Sequence, residues 1–242
     1  MTRKTVFITG AAHRIGAAVA RDLHAHGMDV VIHYRTSAGP ARYLADSLNA
    51  ERAGSAHLVR ADLAGEVDYD AVIEEAAACT GNLHVLINNA SQFYPTPVGG
   101  TTREQWRDIV DTNMQAPFFL SQASVPYLRE TGGCIINMTD IYGNMPLRSY
   151  SVYSAAKAGL IMLTRALARE LAPEIRVNGI SPGSVMWPEG MDEASKKAIL
   201  ERVSLGRQGT TRDLAAGVRF LILEAEYMTG QVLNIDGGRT LY

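Results

Sequence analysis

Cysteine is nearly missing from this 242-residue chain, with Cys79 and Cys134 the whole supply. Each lies in an apolar stretch, which predicts buried thiols rather than a disulfide and fits a reducing, cytoplasmic setting. An excess of charge of one sign is missing too: 23 basic and 25 acidic side chains are interspersed, for a net charge of -2. That balance gives no electrostatic footprint for nucleic acid or an anionic membrane, and leaves small molecules as the expected partners. No apolar run approaches a membrane span, and the run ahead of Thr9-Gly10 holds three residues, too short for a signal-peptide core. The chain is therefore expected to be soluble and unexported. None of the six histidines falls at a zinc-ligand spacing; His24 and His26, two apart on a helical stretch, point different ways. No metal site is expected. Internal repeats, low-complexity tracts and linkers are lacking as well.

What is present is a 47% hydrophobic composition, enough to bury a full core in one domain spanning residues 1–242. Short β-branched runs read as strands at Val6 to Thr9, Val30 to His33, His57 to Arg60, Val85 to Asn88, Ile135 to Met138, Arg176 to Ile180 and Val232 to Ile235. Helical patterns fill the gaps. Strands that alternate with helices predict an α/β fold: a doubly wound, seven-stranded parallel sheet with right-handed crossovers and helices on both faces. Ligands bind such a sheet beyond the carboxyl ends of its strands, near the switch point between the first and fourth. The long irregular stretch from Gly183 to Thr210 contains Trp187-Pro188 and a helical patch near Glu193 to Val203, and reads as a lid.

Four motifs lie at or near strand ends or on helices that follow them. "TGAAHRIG", Thr9 to Gly16, leads from the first strand into a helix predicted from Ile15 to His26. Gly10 and Gly16 permit a tight turn and close helix packing, and the first helical amides can bind a pyrophosphate. Arg14 stands where the familiar turn has glycine. A cation in a helix's first turn opposes the macrodipole by a few tenths to ~1 kcal/mol, so Arg14 is either solvated at a small cost or faced by an anion; the turn alone leaves both readings open. "HYRTS", His33 to Ser37, ends the second strand without the acid that bonds ribose hydroxyls, and Arg35, Thr36 and Ser37 suit a 2′-phosphate. NADP is favoured over NAD: a surface arginine in a loop is common, but it does not explain the missing carboxylate. "YSAAK" sets Tyr153 and Lys157 at i and i+4 on one helical face, where the ammonium is expected to stabilise phenolate and lower the phenol's pKa. An ordinary solvated pair is common at that spacing. In "TNMQAPFF", Pro117 deprives the Asn113 carbonyl of its helical donor, predicting a kink and a carbonyl free to hold a water.

Together "TGAAHRIG", "NNAS", "TNMQAPF", "YSAAK" and "SPGSV" resemble the short-chain dehydrogenase/reductase family across essentially the whole chain. The resemblance implies an NAD(P)-binding Rossmann fold, here with NADP(H) on the strength of "HYRTS", a catalytic set that includes Asn113, Tyr153 and Lys157, and the homotetramer usual in the family. Three positions depart from the general pattern: Arg14 and Ser91 replace glycines, and Asp140 takes the place of a serine thirteen residues before Tyr153. The departures themselves, with "NNASQFYPTP" and "INMTD", resemble the pteridine reductase subgroup. That likeness implies NADPH-dependent reduction of a dihydropterin: Arg14 touching both cofactor phosphate and pterin, Ser91 bonding the pterin edge, Phe93 stacking the ring against the nicotinamide, and Asp140 paired with Tyr153. Tyr153, Asp140 and a water held by Asn113 would relay the proton, and Lys157 would orient the nicotinamide ribose. Cofactor contacts are expected from Gly10, Arg14, Ile15, Tyr34, Arg35, Thr36, Ser37, Asp62, Leu63, Asn89, Ala90, Ser91, Tyr153, Lys157, Pro182, Gly183 and Ser184. A carbonyl or 3-oxoacyl thioester reductase, or a catalytically weak NADP-binding regulator, are the alternatives.

Overall fold

The computed structural model describes residues 3–187 and 190–242. Seven strands form one sheet: β1 Thr5–Ile8, β2 Asp29–Tyr34, β3 Ala56–Arg60, β4 Val85–Asn88, β5 Cys134–Met138, β6 Arg176–Pro182 and β7 Val232–Ile235. Every neighbouring pair is parallel, in the order β3-β2-β1-β4-β5-β6-β7, so the order reverses between β1 and β4.

Helices fill the crossovers: α1 Arg14–Ala25, α2 Ala38–Glu51, α3 Tyr69–Ala78, α4 Arg103–Val110, α5 Ala116–Thr131, α6 Ser151–Leu171, α7 Glu193–Leu200 and α8 Thr211–Leu223. Strand alternation divides the core into two layers. Val6, Ile8, Ile32, Ile87 and Ile136 pack against Leu23 of α1, Leu44 of α2 and Leu221 of α8. Phe7, Val31, Leu86 and Ile135 face the other way, against Ile73 of α3, Leu120 of α5 and Leu167 of α6. Each such side chain, fully buried, contributes about 1.5–3 kcal/mol. Among the described residues, no helix is long and apolar enough to cross a membrane.

Three local expectations change. The sixth strand runs past Ile180 to Pro182, because Ser181 and Pro182 continue the pairing opposite Asn234 and Ile235. The lid's helix, α7, is shorter than the patch to Val203, and starts where Asp192 accepts the Ser195 amide at 2.8 Å. Pro117 produces no simple kink: the chain between α4 and α5 widens into a π-helical turn, Asp111–Gln115, in which the Ala116 amide reaches back to the Asp111 carbonyl. A wider turn accommodates the missing proline donor while keeping α4 and α5 continuous. Of the lid, Pro188 and Glu189 lie outside the described residues.

Candidate active site

At the carboxyl ends of β1, β2 and β4 lies a cleft of about 400 Å³. Its floor is the turn after β1, held from both sides. Thr9 Oγ1 accepts the amides of Asn89 and Ala90 at 2.8 and 2.9 Å, and Asn89 Nδ2 donates to the carbonyls of Thr9 and Gly10 at 2.8 and 3.1 Å. Gly10 takes a left-handed φ of 61°, and a Cβ there would meet Ala90 Cα at 2.9 Å. A Cβ on Gly16 would lie 2.7 Å from Asn89 Nδ2, so both glycines answer to close approach.

Arg14 has a φ of 55°. A left-handed residue with a side chain costs roughly 1–2 kcal/mol, which explains why glycine is the usual occupant and leaves the arginine needing a compensating contact. Helix α1 begins without a side-chain cap or an acid in its first turn, so its first amides are open to an anion from the cleft. Tyr34, Arg35, Thr36, Ser37, Asp62 and Leu63 border the same cleft beyond β2 and β3. Arg35 lies 3.8 Å from Asp62 Oδ1, an exposed pair that is weak. With its amide oxygen turned inward, Gln92 also accepts from both terminal nitrogens of Arg35, at 3.1 and 3.2 Å.

A second chamber of about 410 Å³ adjoins the cleft and holds Tyr153, Lys157, Asp140, Ser91 and Phe93, with Pro182, Gly183 and Ser184 in its wall. The carboxylate of Asp140 divides its work. Oδ1 accepts the Tyr142 amide at 2.9 Å, capping a short 3-10 turn at Ile141–Gly143, and Oδ2 accepts the Tyr153 hydroxyl at 2.7 Å. Burial raises the Asp140 pKa above the ordinary carboxylate value, opposed by the Tyr142 amide, the Tyr153 hydroxyl and Lys157.

Lysine does not make Tyr153 a stronger acid in this arrangement. Burial first, and the Asp140 charge second, push the phenol well above its ordinary pKa. Lys157 Nζ donates to the Met138 carbonyl at 2.8 Å and sits 5.7 Å from the tyrosine ring centre. Burial pulls its own pKa down to about 8, against the pull of Asp140 upward. With a carboxylate where a serine would stand, the negative charge beside the phenol disfavours phenolate.

Asn113 is fully buried, behind the chamber wall. Its Nδ2 donates to the carbonyls of Gln92 and Ile109, both at 2.9 Å, and its Oδ1 accepts the Ser91 hydroxyl at 2.7 Å. It thereby ties the loop after β4 to the π-turn. Phe93 is 42% exposed; its ring stacks on Tyr150 at 4.5 Å and makes a T-shaped contact with Tyr153 at 4.8 Å.

Sequence reasoning passed over Tyr150, Gln92 and His33. Tyr150 sits three before Tyr153 and could have been flagged by its place at the start of the same helix; His33 and Gln92 stand inside "HYRTS" and "NNASQFYPTP", whose other residues carry the chemistry those motifs suggest. The lid turns apolar side chains to the chamber, among them Met186, Trp187, Met191 and Ile199.

Residues 10–240 match a protein-family model described as enoyl-(acyl carrier protein) reductase. Over 99% of its length the chain is 34% identical to pteridine reductase 1 of Leishmania tarentolae, covering 97% of that protein. It is likewise 34% identical, over 99% of its length, to 3beta-hydroxysteroid dehydrogenase 1 of Eggerthella lenta, covering 94% of it. A third relative, 3-oxoacyl-(acyl-carrier-protein) reductase FabG of Staphylococcus aureus, is 32% identical over 97% of both chains.

Proposed function

The chain belongs to the short-chain dehydrogenase/reductase family of oxidoreductases, and from that premise we propose that it reduces a dihydropterin with NADPH. The printed names of its relatives span a pterin, a steroid and an acyl thioester, so the names alone do not choose a substrate. The observation that carries the choice is the Tyr153–Asp140 pair at 2.7 Å beside the Phe93 ring, which is in T-shaped contact with Tyr153. A ketone needs a hydroxyl donor to its oxygen, which a serine supplies. A pterin is a flat ring whose C=N bond takes hydride at carbon and a proton at nitrogen, and an acid of raised pKa beside an aromatic platform suits it.

Gly10, Gly16 and the uncapped start of α1 fit a pyrophosphate, and Arg35, Thr36 and Ser37 fit a 2′-phosphate. NADPH, when bound, supplies the hydride. Arg14 is assigned to a phosphate on one side and the pterin carbonyl on the other, an anionic contact that offsets its left-handed backbone. Phe93, backed by Tyr150, stacks the ring; Ser91, held by Asn113, bonds its edge. Asp140 and Tyr153 deliver the proton to ring nitrogen, and Lys157 holds the nicotinamide ribose. Among the described residues, Asp140 and Lys157 are the charged side chains that line the chamber, together with the apolar Met186, Trp187 and Met191 of the lid. The enzyme works in the cytoplasm as a homotetramer in this reading, in keeping with the uncovered side chains of Trp106, Phe119 and Phe220.

NADPH oxidation measured against dihydropterin, dihydrobiopterin, dihydrofolate, an acetoacetyl thioester and simple ketones tests the assignment. Dihydropterins should give the highest kcat/KM; a faster thioester or ketone would move the chain to carbonyl reduction. NADPH should bind more tightly than NADH, and Arg35→Ala should narrow the gap by ~1 to 3 kcal/mol, the scale of a charged hydrogen bond. Equal affinities of the unmodified protein for both cofactors, by calorimetry, would remove the 2′-phosphate role.

A further inference from the structure

Strand β2 lies between β1 and β3, and its His33 is 98% hidden from solvent, with its ring reaching the loops that follow both neighbours. On one side the Gly10 amide donates to His33 Nδ1 at 3.0 Å. On the other, His33 Nε2 lies 3.1 Å from the Ala61 carbonyl. Those two partners fix the ring's proton. Gly10 N–H is a donor only, so Nδ1 must present its lone pair; Ala61 C=O is an acceptor only, so Nε2 must carry the hydrogen. A single neutral tautomer satisfies both, and the Phe7 ring closes edge-on at 6.2 Å.

Gly10 opens the phosphate-binding turn, and Ala61 precedes Asp62 and Leu63, which border the far end of the same cleft. We propose that His33 is a positioning residue for the cofactor, its ring bridging the turn after β1 to the loop after β3 and setting their separation. The inference rests on the reading of this cleft as a dinucleotide site. A dinucleotide spans both loops, so its affinity depends on the distance between them. Main-chain bonds run alongside, from Ala11 N–H to His33 O at 2.9 Å and from Ala61 N–H to Tyr34 O at 3.2 Å. They continue the sheet ladder at each edge of β2, whereas the imidazole alone joins Gly10 to Ala61 through one rigid ring. It also occupies the Gly10 amide from the strand side, leaving the amides of α1 as the donors that face the cleft.

The test compares His33→Leu, which removes both bonds, with His33→Asn, whose Oδ1 can replace Nδ1 as acceptor for Gly10, in proteins whose folding is verified by thermal melts. His33→Leu should weaken NADPH and 2′,5′-ADP binding by about tenfold, the effect of one lost hydrogen bond of about 1.4 kcal/mol. The loss should fall on Kd and on KM for NADPH rather than on kcat, binding of reduced nicotinamide mononucleotide should be unmoved, and His33→Asn, which restores the Gly10 bond but not the bridge to Ala61, should recover only part of it. A merely structural histidine predicts a lower melting temperature with all three ligands bound as in the unmodified protein, which would overturn the proposal. So would full recovery of binding in His33→Asn. Nitrogen NMR of the unmodified protein gives an arm independent of any variant: Nδ1 should be bare and Nε2 protonated, and the opposite tautomer would also overturn it. Failure of the unmodified protein to bind NADPH or 2′,5′-ADP would instead strike the dinucleotide reading itself.

Discussion

Replacing Tyr153 by phenylalanine is expected to leave NADPH binding nearly intact and to lower dihydropterin turnover by about two to four orders of magnitude, the usual contribution of a positioned general acid. The substitution removes one oxygen and keeps the ring, so the edge-on contact with Phe93 at 4.8 Å and the packing of α6 survive. What goes is the hydroxyl that Asp140 Oδ2 accepts at 2.7 Å. The Asp140 carboxyl then loses one of the contacts that hold its pKa down, and should titrate at higher pH than in the unmodified enzyme. Fluorescence titration with NADPH and single-turnover kinetics separate the two readouts. Near-normal turnover would mean that the proton reaches the ring without the phenol, and would leave Asp140 as its source.

Much of this arrangement was legible before any fold was drawn. The interior strands of a parallel sheet are buried on both faces, so Val6, Phe7 and Ile8 form an unbroken apolar run that reads as a strand without tertiary knowledge. Arg14 and Asp140 stood out because each occupies a position where the surrounding motif predicts another residue, and the structure brings both to the rim of adjoining cavities. Other features arise only between elements distant in sequence. His33 reads as one more residue of a strand until Gly10 and Ala61 close on its ring from either side. The π-turn at Asp111–Gln115 follows from proline chemistry, but whether a chain kinks or widens depends on what packs against it. The downward shift expected for the Tyr153 phenol is reversed first by burial, which the i, i+4 spacing does not show, and then by the Asp140 charge, whose pairing with Tyr153 was legible in the sequence.

Asp140→Ser should strongly lower dihydropterin reduction while leaving, or even revealing, slow reduction of simple carbonyls. Serine at this position restores the hydroxyl donor that a ketone oxygen needs beside Tyr153, and removes the acid that a ring nitrogen needs. Stability should change little, because serine can replace Oδ1 as the cap of the Ile141–Gly143 turn, where the Tyr142 amide is now bonded at 2.9 Å. Asp140→Asn isolates the charge: shape and capping remain, but the amide cannot release a proton. The pH profile adds a signed test. Burial raises the Asp140 pKa, so its protonated form persists to higher pH than an exposed carboxyl and is lost as pH rises through the folded value; turnover should fall along that limb. Lys157, drawn down to about 8 by burial and held up by Asp140, adds a second loss at alkaline pH as its ammonium deprotonates. In Asp140→Asn the first limb should vanish, and the second should move to lower pH because the carboxylate that supports the ammonium is gone. A carboxyl that only caps its turn predicts a different outcome: turnover per folded molecule unchanged in both variants, with no limb lost from the pH profile. That result, in steady-state assays across pH with dihydropterin and a simple ketone side by side, would retire the proton delivery assigned to Asp140 and return the chamber to carbonyl chemistry.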